Sequence, residues 1–285
     1  MHDHSCMAIV RVDRIGLEWC AANGIDVDGE LRRLFSEADS PFGASSGCTS
    51  LYLSKENHLT KNALHAPELE LLRGEPYIRE KMETETKREV QFCISPLSFF
   101  QVNINVAEIM FNAIARAACS GGTVQRPFIL LDVCCGTGTI STFVAQRPEC
   151  IQAFCIDSCA DAIEDAKRNF KLNACLRGKT TLIAGKVEEC LDEIRSFEYS
   201  AKGAALQPRI VAVIDPPRLG IDYRVCAALR AMALVDRVVY ISCNPLGKRL
   251  RRDYVLKDAT LAHSIEALCS PNETEGASCL YPQLL

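Results

Sequence analysis

The fold of this 285-residue chain is decided by one stretch, Phe128-Ile-Leu-Leu-Asp-Val-Cys-Cys-Gly-Thr-Gly-Thr139. Its apolar run predicts a buried strand, and the two glycines predict a tight turn into a helix. Glycines let the backbone pass close to a ligand, and the first turn of a helix offers free N–H groups. The stretch therefore indicates a ligand-binding loop, with a purely structural strand-to-helix turn as the alternative.

Four more apolar runs follow and alternate with helical patterns: Gln152–Asp157, Thr181–Ala184, Ile210–Asp215 and Arg237–Ser242. Between the first two, residues 160–173 have helical spacing, with one side formed by Ala162, Ala166, Phe170 and Asn173. Buried strands separated by helices predict an α/β fold with a parallel sheet covered on both faces. Such a Rossmann-like sheet places its ligand at the carboxyl ends of its strands.

The chain ahead of this sheet predicts a helix and a small lobe. The helix has the spaced apolar positions Val106, Ile109, Met110, Ala113, Ile114 and Ala117. Residues 1–94 predict a partial α+β lobe, made of an apolar segment Ala8–Val12, a helix-like patch Leu31–Phe35, a strand Thr49–Leu53 and a polar link Ser54–Asn62. We expect the main domain to span residues 95–285.

Composition favours a globular protein without disulfides, metal or membrane spans. Hydrophobic residues make up 48% and charged residues 24%, and no run approaches the roughly 18 apolar residues that cross a bilayer. The amino-terminal residues lack the pattern of a signal peptide, so we expect an intracellular protein, in cytosol or nucleus. The 16 cysteines contain no C-x-x-C pair and the five histidines form no cluster, which favours buried reduced thiols over a structural zinc site.

Asp157, at the end of the second predicted strand, is a candidate for cofactor binding. A carboxylate only accepts hydrogen bonds, so it can hold both ribose hydroxyls of an adenosine cofactor. The alternative is an acid that stabilises a helix N-terminus. Ser141 stands where the dinucleotide fingerprint needs its third glycine, which disfavours a dehydrogenase. The D-x-x-x-G-x-G turn of Asp132–Gly138 instead favours an S-adenosylmethionine pocket.

Two further strand ends carry chemistry. In Asp215-Pro-Pro-Arg218 the prolines fix the backbone, which is typical of methyltransferases with planar substrates, although a plain turn is the alternative. Cys243, in Tyr240-Ile-Ser-Cys-Asn-Pro245, is a candidate nucleophile. A thiolate that adds to carbon 6 of uracil turns carbon 5 into a nucleophile for methyl transfer. A cysteine buried for packing is the alternative.

The ordered motifs resemble those of the RNA 5-methyluridine methyltransferases, in the branch of the eukaryotic tRNA (uracil-5-)-methyltransferases. They are Ser95–Asn103, Asp132–Thr139, Asp215–Arg218 and Ser242–Pro245, and the likeness extends upstream to Cys48–Tyr52 and Arg73–Tyr77. The resemblance implies a class I methyltransferase fold, S-adenosyl-L-methionine as cofactor and tRNA as substrate. It assigns Cys243 as the nucleophile and, for cofactor binding, Gln101, Cys134, Gly136, Thr139, Asp157 and Asp215.

The chain departs from the family after the nucleophile. The family's general base is a glutamate in an F-P-x-T-x-H-x-E segment, for which His263-Ser-Ile-Glu266 is the nearest match. The last strands and the amino-terminal RNA-binding module also have no counterpart, so we expect a form shortened at both ends. A poorly active cofactor- and RNA-binding form is therefore one alternative. Another is a methyltransferase that acts on an exocyclic nitrogen through Asp215, without Cys243.

The distribution of charge indicates a surface for RNA. The chain carries a net charge of −4, yet residues 218–257 contain nine Lys or Arg against three Asp, a local +6. The resemblance places Lys248-Arg-Leu-Arg-Arg252 beside the mouth of the active site, where phosphate contacts would position RNA without reading its sequence. A solvated helix face is the alternative. The sequence leaves the oligomeric state open.

Overall fold

A computed structural model describes residues 5–36, 47–56, 69–124, 126–175, 180–190, 192–196, 208–217 and 220–242. The chain clusters into two compact units. The first comprises Met1–Lys81 and Phe92–Leu97, and the second Met82–Gln91 and Ser98–Leu285. Residues 82–91, which we expect from the sequence in the amino-terminal lobe, thus cluster with the second unit. No helix of the described ranges is long and apolar enough to cross a membrane.

The first unit contains a three-stranded sheet. Its elements are β1 (Cys6–Asp13), α1 (Arg14–Ala22), α2 (Val27–Ser36), β2 (Cys48–Glu56) and β3 (Leu69–Gly74). Strand β2 lies in the centre, parallel to β1 and antiparallel to β3. A small core joins Phe35 of α2 to Leu51, Leu53 and Leu72 of the sheet. The predicted strands and helix of this lobe are confirmed, except that the predicted polar link begins as strand, because β2 continues to Glu56.

A hairpin formed by β4 (Ile78–Glu83) and β5 (Glu89–Ile94) follows. The second unit continues with these elements: α3 (Ile104–Cys119), β6 (Phe128–Val133), α4 (Thr139–Ala145), β7 (Cys150–Asp157), α5 (Ala160–Leu172), β8 (Thr180–Ala184), a 3₁₀ turn (Val187–Glu189), β9 (Arg209–Ile214), α6 (Tyr223–Ala231) and β10 (Val235–Tyr240). The strands β6 to β10 coincide with the five predicted apolar runs within two residues at each end.

The five strands β6 to β10 form a parallel sheet in the order β10-β9-β6-β7-β8. In chain order, β7 and β8 extend the sheet from one side of β6 to an edge, and β9 and β10 then extend it from the other side of β6. This strand order confirms the predicted Rossmann-like fold. In such sheets the ligand crevice lies where the order reverses, here between β6 and β9. Every residue of these two central strands is buried, whereas the edge strands β8 and β10 are only partly buried.

The sheet is covered by helices of which one packs differently from the prediction. Residues Ala162, Ala166, Phe170 and Asn173 at α5 are all buried, as predicted. In α3, however, the buried residues are Ala107, Phe111, Ile114, Ala115 and Ala118, while Ile109 is 69% exposed. The predicted apolar face of α3 is therefore confirmed at Ile114 but wrong at Val106 and Ile109, which are exposed. Helix α3 is apolar around most of its circumference, and the contact of Phe111 with Phe143 of α4 (5.5 Å between ring centroids) helps to select the buried side.

Candidate active site at the carboxyl ends of the parallel strands

Three neighbouring strands carry an aspartate where they end. Asp132 is the second-last residue of β6, Asp157 is the last residue of β7, and Asp215 directly follows β9. Strand β6 lies between the other two and all three are parallel, so the three carboxylates meet at one edge of the sheet. The backbone N–H of Asp215 donates to the carbonyl of Val133 (3.2 Å), which ties it to the end of β6.

The loop after β6 has an unusual backbone. Cys134, Gly136 and Gly138 have φ angles of 62°, 53° and 74°, a region that a residue with a side chain rarely adopts. The turn is held by the N–H of Cys135, which donates to Ile156 (3.0 Å), and by that of Gly138, which donates to Cys135 (2.9 Å). The loop is thus anchored on both sides and stores local strain at Cys134.

The two glycines of the loop serve different purposes. A Cβ atom at Gly138 would lie 3.1 Å from both Ala166 and Phe170 of α5, so glycine is needed for α4 and α5 to pack. A Cβ atom at Gly136 would have no neighbour within 4 Å. Gly136 therefore faces open space, which is where the backbone can approach a ligand closely.

Asp157 joins the loop to the next helix. Its Oδ2 accepts the N–H of Gly136 (2.8 Å), and its Oδ1 accepts the N–H of Cys159 (2.8 Å), just before α5. The alternative role of an acid at a helix start is therefore present in the structure. A carboxylate has about four acceptor positions, so capacity for ribose hydroxyls remains, and the ribose role stays a prediction.

Asp132 is completely buried and only half satisfied. The hydroxyl of Ser141 donates to its Oδ2, whereas its Oδ1 has no hydrogen-bond partner. Burial raises the pKa of Asp132 to about 7; the Ser141 hydrogen bond opposes this rise, and the charges of Asp215 and Asp157 add to it. Burial likewise raises the pKa of Asp215 to about 6. Two carboxyl groups of the site are thus poised to change protonation near neutral pH.

The thiols beside the loop are not nucleophiles at neutral pH. Burial, followed by the charges of nearby carboxylates, raises the pKa of Cys134 to about 12. A hydrogen bond with Cys155 and burial raise the pKa of Cys135 as well. Only the thiolate attacks carbon or binds metal. Every cysteine of the described ranges is free, and these ranges contain no group of three or more potential metal ligands.

The remaining predicted site residues have no hydrogen bond to the three carboxylates among the described residues, or lie outside the described residues. The Thr139 hydroxyl is buried and shares a hydrogen bond with that of Thr137 (3.0 Å). Gln101 lies in the segment that connects β5 to α3 and is half-buried. No hydrogen bond of the described residues joins it to the three aspartates. Cys243, Arg218, the basic stretch 248–252 and the segment 263–266 lie outside the described residues. The roles of Gln101, Thr139 and Cys243 stay predictions.

The last described residues run towards the same edge of the sheet. The N–H of Ile241 donates to the carbonyl of Ile214 (2.8 Å), the residue that precedes Asp215. The chain thus follows β9 as far as the strand end that carries the third carboxylate, and Ser242 is the last residue that the structure describes.

Sequence reasoning missed two asparagines that support the loop. The amide of Asn169 donates to the carbonyl of Thr137 (3.0 Å). The amide of Asn173 donates to Asn169 (2.8 Å) and Gln91 (2.7 Å), and its oxygen accepts the N–H of Gln91 (2.9 Å). Both side chains are buried. The available signal was Asn173 itself, a polar residue on the predicted apolar side of α5.

Comparison with known proteins agrees with these motifs. Residues 65–269 match the family described as tRNA (Uracil-5-)-methyltransferase. The chain is 36% identical over 211 residues to tRNA (uracil-5-)-methyltransferase homolog B of Danio rerio, covering 73% of this chain and 39% of that protein. It is 34% identical over 204 residues to homolog A of Mus musculus, covering 71% of this chain and 30% of that protein.

The chain thus spans between about a third and two fifths of the length of these relatives. Among solved structures, a putative SAM-dependent methyltransferase from Streptococcus mutans is similar over 93% of this chain and 60% of that one, with 9% identity and a TM-score of 0.46. The family match over residues 65–269, together with the identity to the relatives, shows that the chain belongs to the tRNA (uracil-5-)-methyltransferase family.

Proposed function

We propose that this chain transfers a methyl group from S-adenosylmethionine to carbon 5 of a uridine in tRNA, with the Cys243 thiolate as nucleophile. The observation that carries this proposal is the joint position of three carboxylates and a strained loop at the switch point of the sheet. The last described residues before Cys243 run beside Asp215. The proposed cofactor site and the last described residues before the proposed nucleophile thus lie at one edge of the sheet.

The residues of this edge fit S-adenosylmethionine. Gly136 leaves open space beside the loop, and Asp157 at the end of β7 has acceptor positions left for the ribose. When bound, the cofactor supplies a methyl group on a positively charged sulfur. Relatives of the chain are named as tRNA (uracil-5-)-methyltransferases, which supports tRNA as the substrate.

The chemistry assigned to the chain itself centres on Cys243. Its thiolate forms a bond to carbon 6 of uracil, and the electrons move to carbon 5, which then takes the methyl group. Carbon 5 now carries the methyl and its original hydrogen. Loss of this proton to a base and elimination of the Cys243 thiolate release the product. The Asp215-Pro-Pro segment provides a rigid wall for the planar base.

The test uses tRNA with 5-fluorouridine at the modified positions, mixed with the full chain and S-adenosylmethionine. Fluorine at carbon 5 cannot leave as a proton, so the methylated adduct should survive denaturation and migrate as a protein–RNA band. We expect the band with the wild type and with the control Cys6→Ala, which removes an exposed free thiol of the first unit. We expect none with Cys243→Ala. An adduct that survives Cys243→Ala, or methylation of ordinary uridine by that variant, would contradict the assigned mechanism.

A further inference from the structure

Two cysteines face each other where the parallel strands of the first unit begin. In the register of β1 and β2, Cys6 lies opposite Cys48. The next pair is Met7 with Ser50, so the register shifts here and Thr49 is an additional residue on β2. Such irregularities are rare in parallel pairs, and they re-aim side chains. Both thiols are reduced, Cys6 is exposed and Cys48 is partly buried, so the strand pair presents two neighbouring thiols at its surface.

Hydrogen bonds fix the backbone on both sides of Cys6. The hydroxyl of Thr49, the residue after Cys48, donates to the carbonyl of Cys6 (3.1 Å). On the other side, the hydroxyl of Ser5 donates to the carbonyl of Arg79 in β4 (2.8 Å) and accepts the N–H of the same residue (2.7 Å). Cys6 is therefore held opposite Cys48 although it lies near the start of the chain.

The geometry of the strand pair fits a disulfide bond. Neighbouring strands lie about 4.7–4.9 Å apart, and a disulfide needs about 4.4–6.8 Å between its Cα atoms. Cys48 and Ala8 both pack against the core of the first unit. Because residues two apart on a strand point to the same face, Cys6 shares the face of Ala8. The two thiols can therefore be bridged with little movement of the backbone.

The two thiols differ in reactivity. Burial raises the pKa of the Cys48 thiol, backbone hydrogen bonds at Ser50 and Ala8 oppose the rise, and the charge and side-chain hydrogen bond of Cys6 add to it. Only a thiolate attacks a disulfide. Cys6 is therefore the thiol that an external disulfide meets first, and Cys48 is the neighbour that displaces what Cys6 has bound.

We propose that Cys6 and Cys48 form a thiol–disulfide exchange site for small-molecule disulfides of the glutathione class. The Cys6 thiolate forms a bond to one sulfur of the small disulfide, and the other sulfur leaves as a thiolate. The Cys48 thiolate then forms a bond to the Sγ atom of Cys6 and displaces the second small thiol. Two protein thiols are oxidised to one disulfide, one small disulfide is reduced to two thiols, and the protons of the protein thiols pass to the released thiols.

The state of the pair follows the disulfide content of its surroundings. A pool rich in reduced glutathione keeps both thiols reduced, and a rise in oxidised glutathione closes the pair. The closed form joins β1 to β2 across the intervening helices α1 and α2, which restricts the unfolded chain. The site lies within the first unit, and the inference does not rest on the proposed methyl transfer.

A second thiol pair provides an internal control. Cys135 and Cys155 also share a hydrogen bond, but the side chains of both are buried. A small disulfide does not reach them in the folded chain. They should therefore stay reduced under conditions that close the exposed pair.

The experiment incubates the full chain with mixtures of reduced and oxidised glutathione, blocks the remaining thiols under denaturing conditions and identifies tryptic peptides by mass spectrometry. Cleavage after lysine and arginine places Cys6 in the peptide 1–11 and Cys48 in the peptide 34–55, each without a second cysteine. In the wild type we expect a disulfide that joins these two peptides within one chain.

Two variants separate the steps of the exchange. In Cys48→Ser the reaction should stop at a mixed disulfide of Cys6 with glutathione, with about tenfold more of this adduct than in the wild type, since the intramolecular step is lost. In Cys6→Ser, Cys48 should carry less glutathione than Cys6 carries in Cys48→Ser. The matched control Cys20→Ser removes another partly buried, reduced thiol of the first unit and should join the peptides as the wild type does.

Three results would overturn the exchange site. They are peptides that stay separate in an excess of oxidised glutathione, equal amounts of the Cys6 adduct in the wild type and in Cys48→Ser, and a disulfide that joins two chains instead of two strands. Each of them would leave the proposed methyl transfer standing, because the adduct test with 5-fluorouridine depends on Cys243 and not on this pair.

Discussion

The two ends of the parallel sheet differ in how their buried charged side chains are paired. At the amino end, Arg209 begins β9 with a side chain that is only 6% exposed. Its guanidinium donates to Asp236 (2.5 Å) and to the carbonyl of Ser120 (3.2 Å), and it lies 5.5 Å from the ring centroid of Phe128. Arg237 donates to the carbonyls of Ala117 (2.5 Å) and Ser120 (2.8 Å). Positive charge is paired here with a carboxylate and with carbonyls at the end of α3, while the Nε atoms of Arg209 and Arg237 are buried without a hydrogen-bond partner.

At the carboxyl end, Asp132, Asp157 and Asp215 have no lysine or arginine partner among the described residues. The Oδ1 atom of Asp132 accepts no hydrogen bond. A paired charge stabilises the folded chain because its burial is compensated internally. A buried carboxyl without such a partner is costly when ionised, and this cost raises the pKa of Asp132 to about 7. The amino end therefore holds the fold together through paired charges, whereas the carboxyl end, where we propose that the cofactor binds, carries carboxyl groups that change protonation near neutral pH.

Removing Arg209 should give the largest loss of stability. Arg209→Ala removes the buried partner of Asp236 and one of the two arginine donors to the Ser120 carbonyl, and breaking a buried pair costs about 3–5 kcal/mol, here towards the lower value because Asp236 stays partly exposed. Urea denaturation measures the free energy of unfolding. The matched control is Arg126→Ala, which removes an exposed arginine that is 3.4 Å from the same carboxylate and should cost less than about 1 kcal/mol. Equal losses in the two variants would contradict the structural role of the amino end.

The two loop glycines should separate stability from binding at the carboxyl end. Gly138→Ala forces a side chain into the left-handed region and against Phe170, so we expect a loss of about 2–3 kcal/mol of stability. Gly136→Ala should cost only the backbone strain, about 1–2 kcal/mol, but should weaken S-adenosylmethionine binding about tenfold, since its methyl group enters the space beside the loop. Denaturation and calorimetry of both variants give the comparison. An unchanged affinity in Gly136→Ala would show that the ligand does not approach this position.

Measured over a single pH unit, the smallest expected effect on stability is the pH dependence that Asp132 gives to the free protein. Its folded-state pKa is raised, so its stabilising effect is complete below the unfolded pKa near 4 and is lost as the pH rises towards about 7. Over that range it should lower the free energy of unfolding by about 1.4 kcal/mol per pH unit. In Asp132→Asn this contribution should disappear, while that of Asp215 between about pH 4 and pH 6 stays. Parallel curves of stability against pH for the two proteins would contradict the assignment.

The sequence predicted the sheet better than it predicted the faces of helices. The strands of the sheet are short and apolar and end at recognisable turn residues, so their positions can be predicted without a structure. Helix α3 is different: Ile109 and Phe111 are both apolar, and periodicity alone allows either side to be buried. Packing against α4 chose Phe111 and left Ile109 exposed. A choice between two apolar faces depends on the neighbouring element, which the local sequence does not contain.

The same limit applies to the site. The sequence by itself determined that Asp132, Asp157 and Asp215 stand at strand ends and that Gly136 and Gly138 form a turn, because these are local patterns of strand, glycine and proline. Only the tertiary structure decided that both oxygens of Asp157 accept backbone N–H groups and that Asp132 keeps a bare oxygen. These properties depend on which strands become neighbours. The order β10-β9-β6-β7-β8 joins residues more than 80 positions apart, and their burial and charge exist only after the sheet has formed.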